Sequence, residues 1–409
     1  MRFIHCADIH LDSPLRGLTR YEGAPVEEVR GATRRAFENL VQLALREQVD
    51  FVVCAGDLYD GDWQDFNTGL FFAKGMAQLG AAGIPVYLLR GNHDAASKLT
   101  RSLPLSSNVR LFDHKVPQTF TDEHLGVALH GQSFATAAVS EDLAAAYPAP
   151  IRGFFNLAVL HTALAGRPCH ANYAPTSIDV LRAKGYDYWA LGHVHKREVV
   201  ITNPWIVFPG NLQGRHIYEQ GAKGCELVSV VDGEVTSETV ALDVLRWLEL
   251  DLDATAPTDF DAVLDRFAVA LRDALADASE RILALRLRLR CGADTRWAKT
   301  GLDEQFRSVA LDISGGRAWL EKIALERLPA RARFSGGDDP LALLQQEIAA
   351  LAQDDATVLD FAGKVLKEMR HKLPAEMRID REFDLESPAV LRALLREVED
   401  DLLARWTEA

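Results

Sequence analysis

The chain has 409 residues, 48% of them hydrophobic and 25% charged, a composition that excludes a disordered chain, a collagen and a disulfide-knotted peptide. It carries 45 basic and 59 acidic residues, and its net charge of −14 excludes a protein that holds nucleic acid through bulk positive charge. Any contact with DNA must therefore be local or shared with a partner. The length predicts two or three domains.

Five widely spaced cysteines contain no CxxC pair, so neither a disulfide framework nor a thiolate zinc site is expected. No run of about 18 apolar residues predicts a membrane span, and no signal peptide opens the chain. The sequence therefore predicts a cytoplasmic protein in a reducing compartment, with no membrane association.

Strand-like and helix-like segments alternate through the first 230 residues. The pattern predicts strands at 3–7, 50–55 and 84–89, separated by helices at 27–48 and 66–79. Further strands are predicted at 126–130, 157–160, 188–191 and 205–208. Polar residues follow the carboxyl ends of these strands, which is the edge where α/β sheets build their sites.

The pattern changes beyond about residue 240. A strand at 245–252, a helix at 259–278 and an alternating strand at 282–291 that pairs with 317–325 predict a small α+β domain. A linker is expected at 335–340. Three helices are predicted after it, at 341–352, 356–373 and 388–406.

Five short motifs each lie just past a predicted strand. In chain order they are Asp8-Ile9-His10, Gly56-Asp57, Gly91-Asn92-His93-Asp94, His161 and Gly192-His193-Val194-His195. A single histidine such as His161 is more often structural than a ligand. Because five motifs occur in this order, a purely structural role for the whole set is improbable.

The chemistry of these motifs is that of a two-metal site. Carboxylate and amide oxygens together with imidazole nitrogens suit Mn²⁺, Fe²⁺ or Zn²⁺. Asp57 has two oxygens and can bridge two cations, and side chains two apart on an extended segment point to one side. Two cations about 3.5–4 Å apart lower the pKa of a bridging water and clamp both oxygens of a phosphoryl transfer.

The motif set resembles the calcineurin-like metallophosphoesterase superfamily. Residues 1 to about 224 resemble more closely the SbcD-type DNA repair exonucleases, especially their YhaO-like branch. The segments that carry this resemblance are FIHCADIHLDSP (3–14), GDLYD (56–60), YWALGHVHKRE (188–198) and PGNLQGRH (209–216).

The resemblance implies an α/β fold in three parts. A two-sheet metallophosphoesterase sandwich flanked by helices is expected over residues 1–240. A small α+β capping domain is expected over 241–334, and a C-terminal helical region that docks a partner over 335–409.

The resemblance also implies two divalent metal ions, usually Mn²⁺, with Fe²⁺ or Zn²⁺ as alternatives. The first ion would take Asp8, His10 and His195, the second would take Asn92, His161 and His193, and Asp57 would bridge them.

The remaining positions of the motifs have other implied roles. His93 would sit over the metals, position the phosphate and protonate the leaving oxygen, with Asp94 orienting it. Asp60 stands where archaeal and eukaryotic relatives have a histidine, as bacterial SbcD-type members tend to.

Two weaker signals concern substrate binding. Arg286, Arg288 and Arg290 line one face of the strand at 282–291. They are either a cationic ribbon for DNA or, slightly favoured, a solvated face balanced by acids. Arg215 and His216 either contact substrate phosphate or belong to a supporting loop.

The last helix carries an apolar stripe made of Leu391, Leu394, Leu395, Val398 and Leu402. It packs either on the chain's own small domain or, as the resemblance favours, on an SMC-like coiled-coil ATPase of the SbcC/YhaN type. A homodimer is expected only by resemblance.

The leading functional prediction is a Mn²⁺-dependent DNA nuclease, an exonuclease of DNA repair working with the ATPase. The alternatives are a phosphoesterase acting on a small phosphodiester or monoester, and a catalytically silent scaffold subunit.

Overall fold

A computed structural model of the chain describes residues 1–13, 28–29, 31–60, 66–96, 105–164, 173–256, 259–292, 302–327, 340–372 and 387–407. Within these ranges, the first part of the chain is built on two six-stranded sheets.

The first sheet is mainly parallel. Its strands are β1 (Arg2–Cys6), β2 (Phe51–Cys54), β3 (Val86–Leu88), β4 (Val109–Leu111), β11 (Gly224–Val231) and β12 (Glu234–Ala241), in the order β12-β11-β1-β2-β3-β4. The run from β1 to β4 is parallel, while β11 and β12 are antiparallel to their neighbours.

The second sheet has a parallel centre with antiparallel edges. Its strands are β5 (Gln118–Asp122), β6 (Val127–Gly131), β7 (Phe155–His161), β8 (Tyr188–Gly192), β9 (Glu198–Thr202) and β10 (Trp205–Phe208), in the order β5-β6-β7-β8-β10-β9. The helices of this part are α1 (Ala32–Glu47), α2 (Phe66–Ala81), α3 (Asn92–Ala96) and α4 (Ile178–Ala183), with a 3₁₀ turn at Ala144–Ala146.

The two sheets pack face to face. Because side chains alternate along a strand, Phe3 and Phe51 point between the sheets, where the ring of Phe3 meets that of Tyr188 with centroids 5.5 Å apart. The neighbouring Ile4 and Val52 point to the opposite face and pack with α1 and α2. The outer face of the second sheet packs with α4. The predicted α/β fold, a two-sheet sandwich flanked by helices, is confirmed.

Strand register brings the predicted site loops to one edge of the sandwich. Cys6 at the end of β1 is paired with Cys54 of β2, which is paired with Leu88 of β3. In the second sheet, His161 of β7 is paired with Gly192 of β8. The loops after these strands therefore start at the same level.

A smaller α+β assembly follows the sandwich. It consists of β13 (Leu245–Ala254), α5 (Phe260–Ala278), β14 (Ile282–Cys291), α6 (Leu302–Ser314) and β15 (Ala318–Arg327), with the strands in the order β13-β14-β15. The predicted pairing of 317–325 with 282–291 is thus present. Trp247 and Trp319 pack with Ile217 of the sandwich in one buried cluster.

Contacts group the described residues into two compact units. The described residues of 1–252, 258–289 and 297–325 form one compact unit, and those of 253–257, 290–296 and 326–409 form a second. The first unit holds both the sandwich and most of the α+β assembly, because the Trp247 cluster joins them. The boundaries after residues 240 and 334 stay predictions.

Three helices end the chain: α7 (Pro340–Leu351), α8 (Asp355–Lys372) and α9 (Pro388–Thr407). Leu391 of α9 is buried with Val358 and Ala362 of α8, and Leu394 and Leu395 pack against the same cluster. This half of the predicted stripe therefore packs inside its own unit. Further along α9, the Val398 side chain is 54% exposed, and the Leu402 side chain lies outside the described residues.

Other predictions fall partly outside the described ranges. Cys6, Cys54, Cys225 and Cys291 are buried free thiols, while Cys169 lies outside the described residues. So do Pro14, residue 27 of the first predicted helix and residues 335–339 of the predicted linker. Among the residues that are described, no helix is both long and apolar enough to cross a membrane.

Candidate active site

The loops after β1, β2 and β8 contain residues in the left-handed backbone conformation. Left-handed φ angles occur at Asp8 (50°), His10 (46°), Asp57 (51°) and His193 (95°). Such angles cost about 1–3 kcal/mol each and persist only where contacts hold them. Here the amide of Asp8 donates to the carbonyl of Gly56 (3.0 Å) and that of His10 to the carbonyl of Asp57 (3.1 Å). The strained residues are predicted metal ligands.

Two glycines of the motifs leave no room for a side chain. A Cβ at Gly91 would overlap Oδ1 of Asp57, and a Cβ at Gly192 would overlap the carbonyl oxygen of Ala55. The same Cβ atoms would lie 2.8 and 2.9 Å from the ring of His161. Glycine is therefore what lets the site loops approach each other.

The first predicted ligand group converges. The ligand atoms of Asp8, His10 and His195 all lie within 4.8 Å of one another. His10 is fully buried, and burial lowers its pKa to about 3, so its ring is neutral and has a lone pair for a metal. Both carboxylate oxygens of Asp8 lie 3.0 Å from the backbone amide of His193, which ties this group to the second.

The second group also converges. Ligand atoms of Asp57, His161 and His193 lie within 4.8 Å of one another, and Oδ1 of Asn92 lies 2.9 Å from Nε2 of His161. Nδ1 of His161 donates to the carbonyl of Ala55 (2.9 Å), so Nε2 faces the group. Burial opposes a charge on His161, but Asp57 outweighs it and raises the pKa of His161 to about 9. Bridging by Asp57 stays a prediction.

This donor set fits a dimetal site. It offers four imidazoles, two carboxylates and one amide, which suits Mn²⁺, Fe²⁺ or Zn²⁺. Nε2 of His10 and Nε2 of His195 are 3.2 Å apart, close to the separation of about 3 Å for two nitrogens each about 2.1 Å from one cation. The Nδ1 atom of His10 is buried without a hydrogen-bond partner.

His93 lies beside the first group and pairs with Asp60. Its side chain is 37% exposed, and its Nδ1 lies 3.0 Å from Oδ1 of Asp60. Its ring meets that of His10 at a centroid distance of 5.0 Å. Burial opposes a charge on His93, but the hydrogen bond to Asp60 outweighs it and raises the pKa of His93. Asp60 also accepts from Oγ of Ser13 (2.6 Å).

Asp94 has a different position from the one expected. Its carboxylate accepts hydrogen bonds from the backbone amides of Leu58 (3.1 Å), Tyr59 (3.0 Å) and Gly91 (3.1 Å). It fastens the loop after β2 to the loop after β3, because the start of α3 directs it at these amides. The expectation that Asp94 orients His93 is corrected: the carboxylate paired with His93 is Asp60.

Glu219 is a site residue that the sequence did not single out. Its Oε1 lies 2.7 Å from Nδ1 of His195, and its Oε2 accepts from Nδ2 of Asn211 and from the amide of Arg215, both at 2.8 Å. Burial opposes a charge on Glu219, but Arg215 and His195 outweigh it and hold the pKa of Glu219 well below its usual range. The segment PGNLQGRH (209–216), which carries part of the resemblance, ends three residues before Glu219.

Arg215 and His216 lie next to this carboxylate. Nη2 of Arg215 lies 3.0 Å from Oε1 of Glu219, and its Nη1 lies 3.7 Å from Oδ2 of Asp60. The side chain of Arg215 is 16% exposed and that of His216 is 53% exposed. Contact of either residue with substrate stays a prediction.

Two of the three arginines of β14 are paired with acids. Arg286 is buried and makes two hydrogen bonds to Glu321 (3.0 and 2.9 Å), and Nη2 of Arg288 lies 2.8 Å from Oε1 of Glu249. The flanking strands β15 and β13 supply these acids. Arg290 is exposed. The favoured interpretation, a face balanced by acids, holds for the first two, although Arg286 is buried rather than solvated.

Known proteins identify the two parts of the first unit. Residues 1–197 match the calcineurin-like phosphoesterase family, and residues 247–327 match the middle domain of the metallophosphoesterase YhaO. The chain is 35% identical over 267 residues to the uncharacterized metallophosphoesterase YhaO of Bacillus subtilis (strain 168). These matches place residues 1–197 in the calcineurin-like phosphoesterase family and support similarity of the chain to the YhaO-like branch. The match spans 64% of this YhaO-like chain and 65% of that relative, just under two thirds of its length.

Two solved structures align with parts of this YhaO-like chain. The protein TT1561 of Thermus thermophilus aligns with a TM-score of 0.33 and 14% identity, over 58% of this chain and 98% of that one. A dimetal phosphatase from Danio rerio aligns with a TM-score of 0.35 and 14% identity, over 57% and 93%.

The site of this YhaO-like chain brings together side chains that suit a metal-dependent phosphoester hydrolysis. The side chains of Asp8, His10 and His195 and those of Asp57, Asn92, His161 and His193 would hold two divalent metals, which would supply a nucleophile and offset charge on the phosphoryl oxygens. Asp60 holds Nδ1 of His93, which leaves Nε2 of His93 to donate a proton to a leaving oxygen. Glu219 holds Nδ1 of His195, so that Nε2 of His195 faces His10.

Proposed function

We propose that this metallophosphoesterase is a manganese-dependent DNA nuclease of the cytoplasm, an exonuclease in DNA repair that works with an SMC-like coiled-coil ATPase of the SbcC/YhaN type. The observation that carries the proposal is the convergence of two ligand groups beside a partly exposed His93 paired with Asp60. A phosphodiester held there has metals on one side and a proton donor on the other.

The surroundings of the site support a large substrate. The α+β assembly packs against the sandwich through Ile217 and Trp247, next to the turn that carries Arg215 and Glu219. The α+β assembly therefore lies close to the turn beside the first ligand group, where a polymer substrate extending from the site would contact it. The resemblance of the segments at 188–198 and 209–216 to SbcD-type nucleases supports DNA as that polymer.

The partner is proposed from the C-terminal helices. Leu343 of α7, Leu359 of α8 and Val398 of α9 are 55%, 38% and 54% exposed. Apolar side chains exposed on helices are suited to packing against a partner's helices. Docking of the ATPase on this unit, and a homodimer of the chain, are both parts of the proposal.

One observation favours a second candidate, a phosphoesterase for a small phosphodiester. Arg286 and Arg288 are each paired with acids, and the net charge of −14 repels DNA rather than attracting it.

The deciding experiment uses end-labelled linear duplex DNA with Mn²⁺, and a chromogenic phosphodiester in parallel. His93→Ala is the test variant. His124→Ala is its matched control, because exposed His124 lies in the turn before β6, at the opposite end of the second sheet. Degradation of DNA that a chelator and His93→Ala abolish, and His124→Ala does not, supports the proposal. Cleavage of the chromogenic ester alone, even with the ATPase added, favours the second candidate. Tight metal binding without either reaction would mean a silent scaffold.

A further inference from the structure

An exposed aromatic pair lies beside the first ligand group. Tyr218 is 47% exposed, and the side chain of His216 is 53% exposed. Their ring centroids are 5.8 Å apart and the rings are inclined by 65°, so the pair forms an open corner. Two neighbouring rings with open faces offer a surface on which a flat ligand can stack.

Short contacts connect this corner to the metal ligands. Nε2 of His216 lies 3.6 Å from Oε1 of Glu219, and the same oxygen lies 2.7 Å from Nδ1 of His195. The corner therefore lies two contacts from the His195 ring, on its Nδ1 side. A phosphodiester held by the first ligand group would reach the corner through the residue attached to the scissile phosphate.

The corner is held rigid from behind. The guanidinium of Arg286 lies over the ring of Tyr218, 6.0 Å from its centroid, and Arg286 is itself fixed by Glu321. Between the two rings, Ile217 is buried with Trp247 and anchors the backbone. Because the side chains of the corner are already fixed, a ligand that stacks here immobilises few of them. The entropic cost of binding is therefore low.

The corner offers aromatic surface rather than charge. Two cations beside it are paired with carboxylates, Arg215 with Glu219 and Arg286 with Glu321. The group that fits is flat, uncharged and attached to a phosphate. A nucleobase has these properties, and stacking on aromatic side chains tolerates any base.

We infer that Tyr218, together with His216, is the stacking site for the nucleobase next to the scissile phosphate. The inference rests on the proposed nuclease function and names Tyr218 as a residue that makes the site prefer nucleotide esters over other phosphodiesters.

The test compares two substrates that share one leaving group. Thymidine 5′-(p-nitrophenyl phosphate) carries a base, and methyl p-nitrophenyl phosphate does not. The measured quantity is the ratio of kcat/KM for the two esters with Mn²⁺. We expect Tyr218→Ala to lower this ratio roughly tenfold, within the range for loss of one stacked base, and Tyr218→Phe to keep it. Phe361→Ala, which removes another exposed aromatic ring (40% exposed, in α8), is the matched control and keeps it too.

A purely structural role for Tyr218 would lower activity on both esters and keep the ratio, and that outcome overturns the inference. So does a loss in Tyr218→Phe equal to that in Tyr218→Ala. If the unaltered protein shows no preference for the thymidine ester, the proposed function fails together with the inference. A preference that does not depend on Tyr218 sinks the inference alone.

A binding measurement covers the case in which turnover requires the ATPase. A short single-stranded oligonucleotide with a fluorescent label is titrated with the protein in Ca²⁺, which replaces Mn²⁺ to suppress turnover. Tyr218→Ala should weaken binding roughly tenfold and leave its salt dependence unchanged, because stacking releases no counterions. Equal binding by both proteins would overturn the inference.

Discussion

Glu219 contacts the predicted metal ligand His195: its Oε1 lies 2.7 Å from Nδ1 of the ring whose Nε2 faces His10 at 3.2 Å. A carboxylate in this position fixes the tautomer of a ligating histidine and increases its basicity. We therefore expect Glu219→Ala to weaken binding of one of two Mn²⁺ ions by about 10–100-fold, the usual cost of losing such a partner.

Calorimetric titration of the metal-free protein with Mn²⁺ measures this effect. Glu219→Gln, which keeps a hydrogen-bond acceptor, should lose less affinity than Glu219→Ala. Glu234→Ala is the matched control, because Glu234 is exposed at the start of β12. If Glu219→Ala binds two ions as tightly as the unaltered chain, the ring of His195 does not depend on this carboxylate.

Asp60 should control the proton that His93 donates. Because Oδ1 of Asp60 lies 3.0 Å from Nδ1 of His93, Asp60→Asn removes the charge that favours a protonated ring. Proton donation typically contributes about 10²–10⁴-fold to a rate, so His93→Ala should lose roughly that factor on an alkyl phosphodiester, and Asp60→Asn part of it. On a p-nitrophenyl ester, whose leaving group needs no proton, both losses should shrink.

The comparison of leaving groups separates proton donation from metal binding. A variant that had lost metal would slow both esters equally. Equal losses on the alkyl and p-nitrophenyl esters in Asp60→Asn would therefore contradict the proposed pairing of Asp60 with His93.

The sandwich and the ligand groups were predictable because parallel strands end together. Apolar runs locate β1, β2 and β7, and polar residues just past them must meet at one sheet edge. Asp60 and Glu219 were not predictable in this way. Each acts through a histidine far along the chain, His93 or His195, and only the folded loops bring the partners into contact.

The arginines of β14 also show that the sequence alone does not predict the partners of a side chain. A period of two places Arg286 and Arg288 on one face, and the sequence pattern contains no information about what stands opposite. Strand order supplies it, because β14 lies between β13 and β15, which carry Glu249 and Glu321. The charges of one strand, considered without its neighbours, therefore predict more unpaired positive charge than the fold has there.

Gly91 should be intolerant of even one methyl group. A Cβ there would overlap Oδ1 of Asp57, so Gly91→Ala must displace a metal ligand or the loop that carries it. A displacement of about 1 Å in a catalytic group can cost about 100-fold in rate, and we expect a loss of that size in kcat/KM on the chromogenic ester.

Gly363→Ala is the control for this substitution. Gly363 lies in α8, and a Cβ there would meet nothing within 4 Å. Alanine should stabilise the helix by about 0.5–1 kcal/mol, measured by denaturant unfolding, and leave the rate unchanged. A Gly91→Ala protein as active as Gly363→Ala would show that the site loops can separate without loss of function.

His5 should make the fold sensitive to acid. It is fully buried between the two sheets, with ring nitrogens 3.1 Å from the hydroxyl of Tyr188 and the carbonyl of Leu191, and burial lowers its pKa from 6.5 to about 4. Between these two pH values the unfolded chain binds a proton that the folded chain excludes. The contribution of His5 to the free energy of unfolding is therefore constant above pH 6.5 and falls by about 3 kcal/mol as the pH drops to 4. Urea unfolding across this range measures how the free energy of unfolding depends on pH. His5→Gln should remove about 3 kcal/mol of that dependence between pH 6.5 and pH 4, whatever its effect on stability at neutral pH. An unchanged slope in His5→Gln would mean that His5 takes up its proton equally in both states.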